Sequence, residues 1–399
     1  MIDTQIDYLT QEALRTSGVY GKRDQVIIRG KGAYLWDDRG RRYIDLTAGI
    51  GVANLGHAHP RLVAAITQQA STLITCPELF YNDRRAELLG SLAGVLPEGL
   101  ERVFLCNSGT EAVEAALKFA RLSTGRTDVV AAMRGFHGRT FGALSATHKN
   151  AYREPFLPLV PGFTHVPFNN FERLAAALTQ NTAAVILEVV QGEGGVRPGS
   201  REYFQAVRQI CEQRNILLIL DEVQTGFGRT GRWFAFEHMG IVPDILALGK
   251  GIAGGVPMGA TVLGPRVREL PVGVHGSTFG GNPLAAAAAI ASIEIYKSER
   301  LVEQAAEQGA WFLDRLSRIE SPHIREVRGL GLMVGVELRS RVFPVVEALT
   351  ELGVLALIAG PTVLRLLPPL VIDRSDLAAA ADLLEQALTV LDGEENTDG

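Results

Sequence analysis

Between about residues 55 and 297 the chain alternates two kinds of pattern. Short runs that are apolar at almost every position, RVFLC, DVVAA, AAVILE, ILLILD, ILALG and GATVLG, are separated by longer stretches such as EAVEAALKFARL, where apolar positions recur at helical spacing. A strand apolar on both faces must be covered on both faces, so the alternation predicts an α/β domain with helices on either side of a mostly parallel sheet. Ahead of it, residues 26–46 read VIIRGKGAYLWDDRGRRYIDL, which predicts a hairpin turning at Asp37-Asp38-Arg39-Gly40 within an N-terminal segment, 1–54. After 297 the pattern is mixed: a helix near 300–318, a strand GLMVGVEL, a helix near 343–352, a strand VLRLLP and a last helix near 375–391. These predict a smaller α+β domain over 298–393, and the polar end DGEENTDG predicts a disordered tail over 394–399.

Composition narrows the class. Of 399 residues, 47% are hydrophobic and 21% charged, ample for a large core. A net charge of −5 gives no general attraction to nucleic acid. The start MIDTQIDYLT lacks the basic residues and apolar run of a signal peptide, and the apolar run LAAAAAIASI is too short to span a bilayer. A cytoplasmic protein with no membrane or nucleic-acid partner is expected. Cys76, Cys106 and Cys211 show no C-x-x-C spacing, so neither a disulfide framework nor a zinc site is expected. His57 and His59 in GHAHP have metal-ligand spacing but no accompanying ligands, and a loop before a helix accounts for them; no metal is expected.

The chain has six lysines, at 22, 31, 118, 149, 250 and 297. Lys22 and Lys31 lie in polar N-terminal sequence, Lys118 follows Glu114 at the spacing of a surface helix pair, Lys149 is in a polar loop, and Lys297 ends a helix. Only Lys250 closes an apolar strand, and Gly251 and Gly254-Gly255 leave space around its amine. Burial there disfavours the ammonium and makes a nucleophile. A lysine after a strand can equally be a surface residue, so neighbouring motifs decide.

Gly249 to Gly254 matches G-x-G-x-x-G, yet no acidic residue ends a following strand and the expected helix is replaced by glycine and Pro257, so a dinucleotide loop is excluded. Asp221 closes the run Ile216 to Leu220, bringing a carboxylate to the C-terminal end of a central strand, where ligands of open α/β sheets bind. A buried carboxylate needs a cationic partner, for which a protonated pyridine nitrogen serves; a helix cap is the plainer account. Between RVFLC and its helix lies Asn107-Ser108-Gly109-Thr110, small residues at a helix start that suit a phosphate monoester, or simply an N-cap.

Taken in order, NSGTEA, FHGRT, EVVQGEGG, LDEVQTGFGRTG, LGKGIAGGVPMGA and HGSTFGGNP resemble the class III aminotransferases over nearly the whole chain. The resemblance implies a fold-type-I transferase with a seven-stranded sheet, pyridoxal 5'-phosphate as cofactor, and a homodimer. Compact length and HGSTFGGNP resemble the acetylornithine aminotransferases. GVYGKRD, MRGFHGRT, FAFEHMGIVPDIL and AGPTVLRLLPPLVI resemble the related enzymes of lysine synthesis, whose substrate hangs on an amino-group carrier protein.

By this resemblance Lys250 forms the Schiff base with the cofactor and shuttles the proton, Asp221 pairs with the pyridine nitrogen, Gln224 approaches the ring hydroxyl and Phe136 stacks on the ring. Glu222 and Val223, in the same motif, belong to the cofactor site. Gly109 and Thr110, with Ser108 beside them, hold the phosphate, which Thr278 reaches from the other subunit while Ser277 lies beside the substrate. Arg139 takes the distal carboxylate, Arg365 takes the α-carboxylate of glutamate, and Glu193 neutralises Arg365 until glutamate or 2-oxoglutarate arrives. The implied reaction moves the terminal amino group of an Nα-acylated ornithine or lysine to 2-oxoglutarate, in arginine or lysine biosynthesis. An acidic carrier would need a basic rim, for which Arg134, Lys149 and Arg153 are candidates. Alternatives are an ornithine or 4-aminobutyrate aminotransferase, an aminomutase, and a non-catalytic ligand sensor, which would need a basic helical domain that this chain lacks.

Overall fold

The structure is a computed structural model and describes residues 7–394. Of the tail expected over 394–399, Glu394 ends the last helix and the rest lies outside the described residues.

The N-terminal segment holds three strands rather than two: β1 (Ile27–Lys31), β2 (Tyr34–Asp37) and β3 (Arg42–Asp45). The turn at 37–40 joins β2 to β3, and Gly32, with φ +55°, makes the additional turn. The large sheet comprises β4 (Arg102–Cys106), β5 (Asp128–Ala132), β6 (Phe163–Val166), β7 (Thr182–Leu187), β10 (Leu217–Asp221), β11 (Ile245–Leu248) and β12 (Gly259–Leu263), in spatial order β4-β12-β11-β10-β7-β5-β6. A two-stranded ribbon, β8 (Val190–Gln191) and β9 (Arg197–Pro198), rises after β7. Strand β12 runs antiparallel to both neighbours; the other pairings are parallel. Every residue of β7, β10, β11 and β12 is buried, as runs apolar on both faces require.

The third sheet holds β13 (Ile324–Leu330), β14 (Met333–Leu338), β16 (Leu357–Ile358) and β17 (Val363–Leu366). The expected strand GLMVGVEL is the second arm of a hairpin whose first arm, IREVRGL, is partly exposed and so lacks the continuous apolar signal. Strand β15 (Val354–Leu355) pairs parallel with β3, joining the N-terminal strands to the C-terminal region. Arg229, fully buried, adds to that junction: it donates to Leu332 and Pro368 carbonyls and to Asn54 Oδ1. Among the described residues no helix is long and apolar enough to cross a membrane.

Candidate active site

The C-terminal ends of β4, β5, β7, β10 and β11 deliver the chemistry-bearing residues to one edge of the large sheet. They bound a cavity of about 280 Å³ lined by Gly109, Thr110, Phe136, Glu188, Asp221 and Lys250, with His137, Arg139, Glu193, Val223 and Gln224 among the other walls.

Asp221, the last residue of β10, is 5% exposed. Its Oδ1 accepts the Val223 N–H at 3.0 Å, and His137 Nδ1 lies 2.8 Å from Oδ2, where an imidazole N–H donates to a carboxylate. Burial alone would depress the His137 pKa, but the Asp221 hydrogen bond and charge, with Glu188 behind it, leave it raised. The buried carboxylate is thus oriented and hydrogen-bonded from one side, with the cavity on the other.

Lys250 opens a short 3-10 turn directly after β11 and holds a left-handed φ of +44°, uncommon for a lysine. Burial first, and the Arg365 charge second, push its pKa down to about 8, against the pull of Asp221, Glu193 and Glu188. Glycines let the turn close: a Cβ on Gly251 would stand 2.6 Å from Asn54 Nδ2, and one on Gly249 3.2 Å from Gly109 Cα.

The helix Gly109–Thr124 begins at the cavity and ends at Gly125 in the left-handed conformation. Ser108 caps it in a reciprocal box, its hydroxyl oxygen accepting from the Glu111 N–H at 3.3 Å and donating to Glu111 Oε2 at 2.8 Å. The Ser108 side chain is therefore committed to the cap and does not line the cavity, whereas Gly109 and Thr110 do. Their N–H groups are the first two of the helix, which have no intrahelical acceptor. A Cβ on Gly109 would fall 2.5 Å from Val223 Cγ1, so only glycine lets Val223 close the floor here.

Arg365 lies in β17, 2% exposed, and its Nη2 stands 2.7 Å from Glu193 Oε1. Nη1 lies 3.4 Å from Gln224 Oε1, while Nε has no hydrogen-bond partner among the described residues. Arg139 is exposed at the mouth, its guanidinium 3.5 Å over the Tyr152 ring and 5.8 Å from that of Phe136. One arginine is masked and the other open. Beyond Glu193 and Phe136 an outer cavity of about 860 Å³ is lined by Arg134, Lys149, Tyr152, Arg197 and the segment 358–363. Of the basic candidates for its rim, Arg134 and Lys149 line it and Arg153 does not.

Glu222 departs from expectation. Its fully buried carboxylate accepts from Thr225 Oγ1 at 2.6 Å, Ala235 N–H at 2.9 Å and Phe236 N–H at 2.8 Å, away from the cavity, because successive side chains at a strand end point to opposite sides. Ser277 accepts from Asn107 Nδ2 at 3.0 Å, close to the phosphate turn; Thr278 is exposed and lines no part of its own chain's cavity. The expected Glu114–Lys118 pair is replaced: Glu114 accepts from the Gly142 and Ala143 N–H groups, and Lys118 Nζ lies 2.8 Å from His275 Nδ1. His57 pairs with Asp45 at 2.7 Å, and among the described residues no group of three or more potential metal ligands gathers. Sequence reasoning missed Glu188 and Tyr152. Glu188 carried the same signal as Asp221, an acidic residue closing an apolar strand; Tyr152 carried none.

The residues present fit pyridoxal phosphate on local grounds. The glycine-walled helix start has room for an anion, Asp221 is a buried carboxylate facing the cavity with the His137 imidazole bonded behind it, and the depressed lysine stands opposite. Fold and site together define a cofactor-dependent transferase of fold type I. Residues 19–388 match the aminotransferase class-III family, and the chain belongs to it. It is 52% identical over 385 residues, 96% of this chain and 90% of the relative, to LysW-aminoadipate semialdehyde transaminase of Deinococcus radiodurans. It is 48% identical over 369 residues, 92% and 93% of the two chains, to acetylornithine aminotransferase of Methanosarcina acetivorans. A solved ornithine aminotransferase of Toxoplasma gondii, with pyridoxal phosphate partly occupying its active site, superposes with a TM-score of 0.94 at 35% identity, covering 99% of this chain and 97% of the other. The protein is a pyridoxal-phosphate-dependent transaminase.

Proposed function

We propose that the chain moves the terminal amino group of an Nα-acylated ornithine or lysine to 2-oxoglutarate, giving the semialdehyde and glutamate, within arginine or lysine biosynthesis. The observation that carries this reading is the asymmetry of the two arginines: Arg365 is paired with Glu193 at 2.7 Å while Arg139 stands open at the mouth. A donor that reacts through a terminal amine brings no carboxylate to the reacting carbon, so Arg365 must be masked while it is bound. Its α-carboxylate, beside the acyl group, meets Arg139. Glutamate or 2-oxoglutarate carries a carboxylate at the reacting carbon, so Glu193 swings away and Arg365 receives that group in a bidentate fork.

In this reading Lys250 would hold the cofactor, and its amine, when free, would move the proton off and onto the reacting carbon, which its lowered basicity suits. Asp221 would pair with the pyridine nitrogen and keep it protonated, Phe136 and Val223 would pack against the ring, Gln224 would meet the ring hydroxyl, and Gly109 and Thr110 would receive the phosphate. When bound, the ring supplies an electron sink for the carbon that loses its proton. Ser277 lies beside the substrate, and Thr278 reaches the phosphate of the second subunit of a cytoplasmic homodimer. Exposed Leu79, Phe80 and Phe279, at 86%, 64% and 63%, favour a face covered by a second copy.

The outer cavity favours an acylated donor over free ornithine or 4-aminobutyrate, which would leave it unfilled. Its basic Arg134, Lys149 and Arg197 also suit an acidic carrier protein bearing the donor. Single-turnover conversion of the cofactor spectrum, measured with acetylornithine, carrier-linked lysine, free ornithine and 4-aminobutyrate, tests the reading. An acylated donor is expected to react at least about 10²-fold faster, because its acyl group fills the outer cavity whereas the free α-ammonium of ornithine would face Arg134, Lys149 and Arg197 there. Equal rates for free ornithine would overturn it.

A further inference from the structure

Glu188 directly follows β7 and is buried at the wall of the cofactor cavity. Its two oxygens reach in different directions: Oε1 accepts the Phe136 N–H at 2.9 Å and Oε2 accepts the Gly192 N–H at 3.2 Å. Phe136 heads the loop that carries Arg139, and Gly192 immediately precedes Glu193. One carboxylate therefore ties the segment bearing the open arginine to the segment bearing the residue that masks the other. Both segments are closely packed: a Cβ on Gly135 would lie 2.9 Å from Ala132 O and 3.2 Å from His137 Nε2, and one on Gly192 2.0 Å from Gln224 Oε1. A backbone shift that carries Glu193 away from Arg365 starts at Gly192, whose N–H Glu188 holds.

We propose that Glu188 is a positioning residue for substrate exchange: its ionised carboxylate holds the Gly192–Glu193 segment with Glu193 against Arg365, and its protonation releases that segment and frees Arg365. The inference rests on the roles of Glu193 and Arg365 proposed above. An ionised carboxylate accepts both N–H groups, whereas the protonated acid turns one oxygen into a donor and loses an acceptor. The Gly192 contact, the longer of the two, is the one given up. Burial pushes Glu188 up to about 7, opposed by His137 and its two N–H donors and reinforced by Asp221, so the exchange falls in the working range. The charged groups facing it are His137 from the loop after β5, Asp221 from the end of β10 and Lys250 after β11.

The test follows the ratio of KM for 2-oxoglutarate to KM for the amino donor in the holoenzyme across pH 6 to 8. For the unaltered protein the ratio is expected to rise about tenfold with a midpoint near 7, the effect of one charge-assisted hydrogen bond. Glu188→Gln, which keeps one acceptor, should hold the ratio flat at its low-pH value. In the cofactor-free protein at pH 8 the same variant should speed amide hydrogen exchange over residues 190–195 about tenfold, a reading independent of catalysis. Should Glu188→Gln fail to fold, Glu188→Asp should keep a pH-dependent ratio with a displaced midpoint. An unmoved midpoint in any folded variant, or unaltered exchange, overturns the inference. Glu193→Ala separates the two ideas. If it leaves both half-reactions unaltered, the switch itself is wrong; if it changes them while Glu188→Gln keeps the wild-type midpoint, only the part given to Glu188 fails.

Discussion

Lys250 departs from an ordinary lysine in two ways. It holds a left-handed backbone directly after a buried strand, and burial lowers its pKa from 10.5 to about 8. The neutral amine is the form that attacks a cofactor aldehyde, so incorporation of pyridoxal phosphate into the cofactor-free protein should accelerate with pH and level off just above 8. Stopped-flow absorbance measures this, and a rate still climbing at pH 10 would contradict it. The stability consequence has the opposite sense. Because the folded pKa is depressed, the ammonium form costs stability in full below about 8, and the cost fades as pH rises toward the unfolded value of 10.5. Lys250→Met should therefore raise the melting temperature of the cofactor-free protein at pH 7 and not at pH 10.5, while abolishing transamination by about 10⁴-fold or more.

At the scale of elements, the strand ends explain both what the sequence conveyed and what it withheld. Asp221 and Lys250 were legible because a polar residue closing an apolar run must stand at the ligand edge of a covered sheet. Glu222 was not, since its direction depends on how the chain turns after β10, where Thr225, Ala235 and Phe236 capture it. The pairing of β3 with β15 links residues some three hundred positions apart and leaves no local trace, and β13 hides in a half-exposed pattern. The capture of Glu222 is measurable. Burial pushes it up to about 7 from 4.5, so its contribution to stability is full below 4.5 and is lost as pH rises through 7. Glu222→Gln should flatten that part of the pH dependence in chemical denaturation, the stability of the variant no longer falling between pH 4.5 and 7. Cofactor affinity should stay within about threefold, a change below 1 kcal/mol. A large fall in affinity with unaltered stability would return Glu222 to the cofactor site.

For the whole molecule the question is whether one chain completes its own site. Arg85, 6% exposed, donates to the carbonyls of Cys76, Phe80 and Gly281 at 2.8, 2.9 and 3.2 Å and pairs with Glu78 at 3.1 Å. It thereby fixes the exposed apolar segment 76–80 beside the loop that carries Thr278, and that loop offers Thr278 to the exterior rather than to its own cavity. A side chain placed by such a buried clamp yet aimed outward fits a contribution to a neighbouring copy, and a two-fold arrangement would exchange it reciprocally. Two inactive variants then become complementary. Lys250→Ala retains Thr278 but has no amine; Thr278→Arg retains Lys250 but, in the proposed dimer, would block the phosphate of its partner. In a mixed dimer, Lys250 of the Thr278→Arg chain meets Thr278 of the Lys250→Ala chain, and one of the two sites is whole. Refolding the two variants together at equal concentrations should make about half of the dimers mixed and restore about a quarter of wild-type activity, by random pairing under two-fold symmetry. Activity no greater than the sum of the separate variants would mean that each chain builds its site alone.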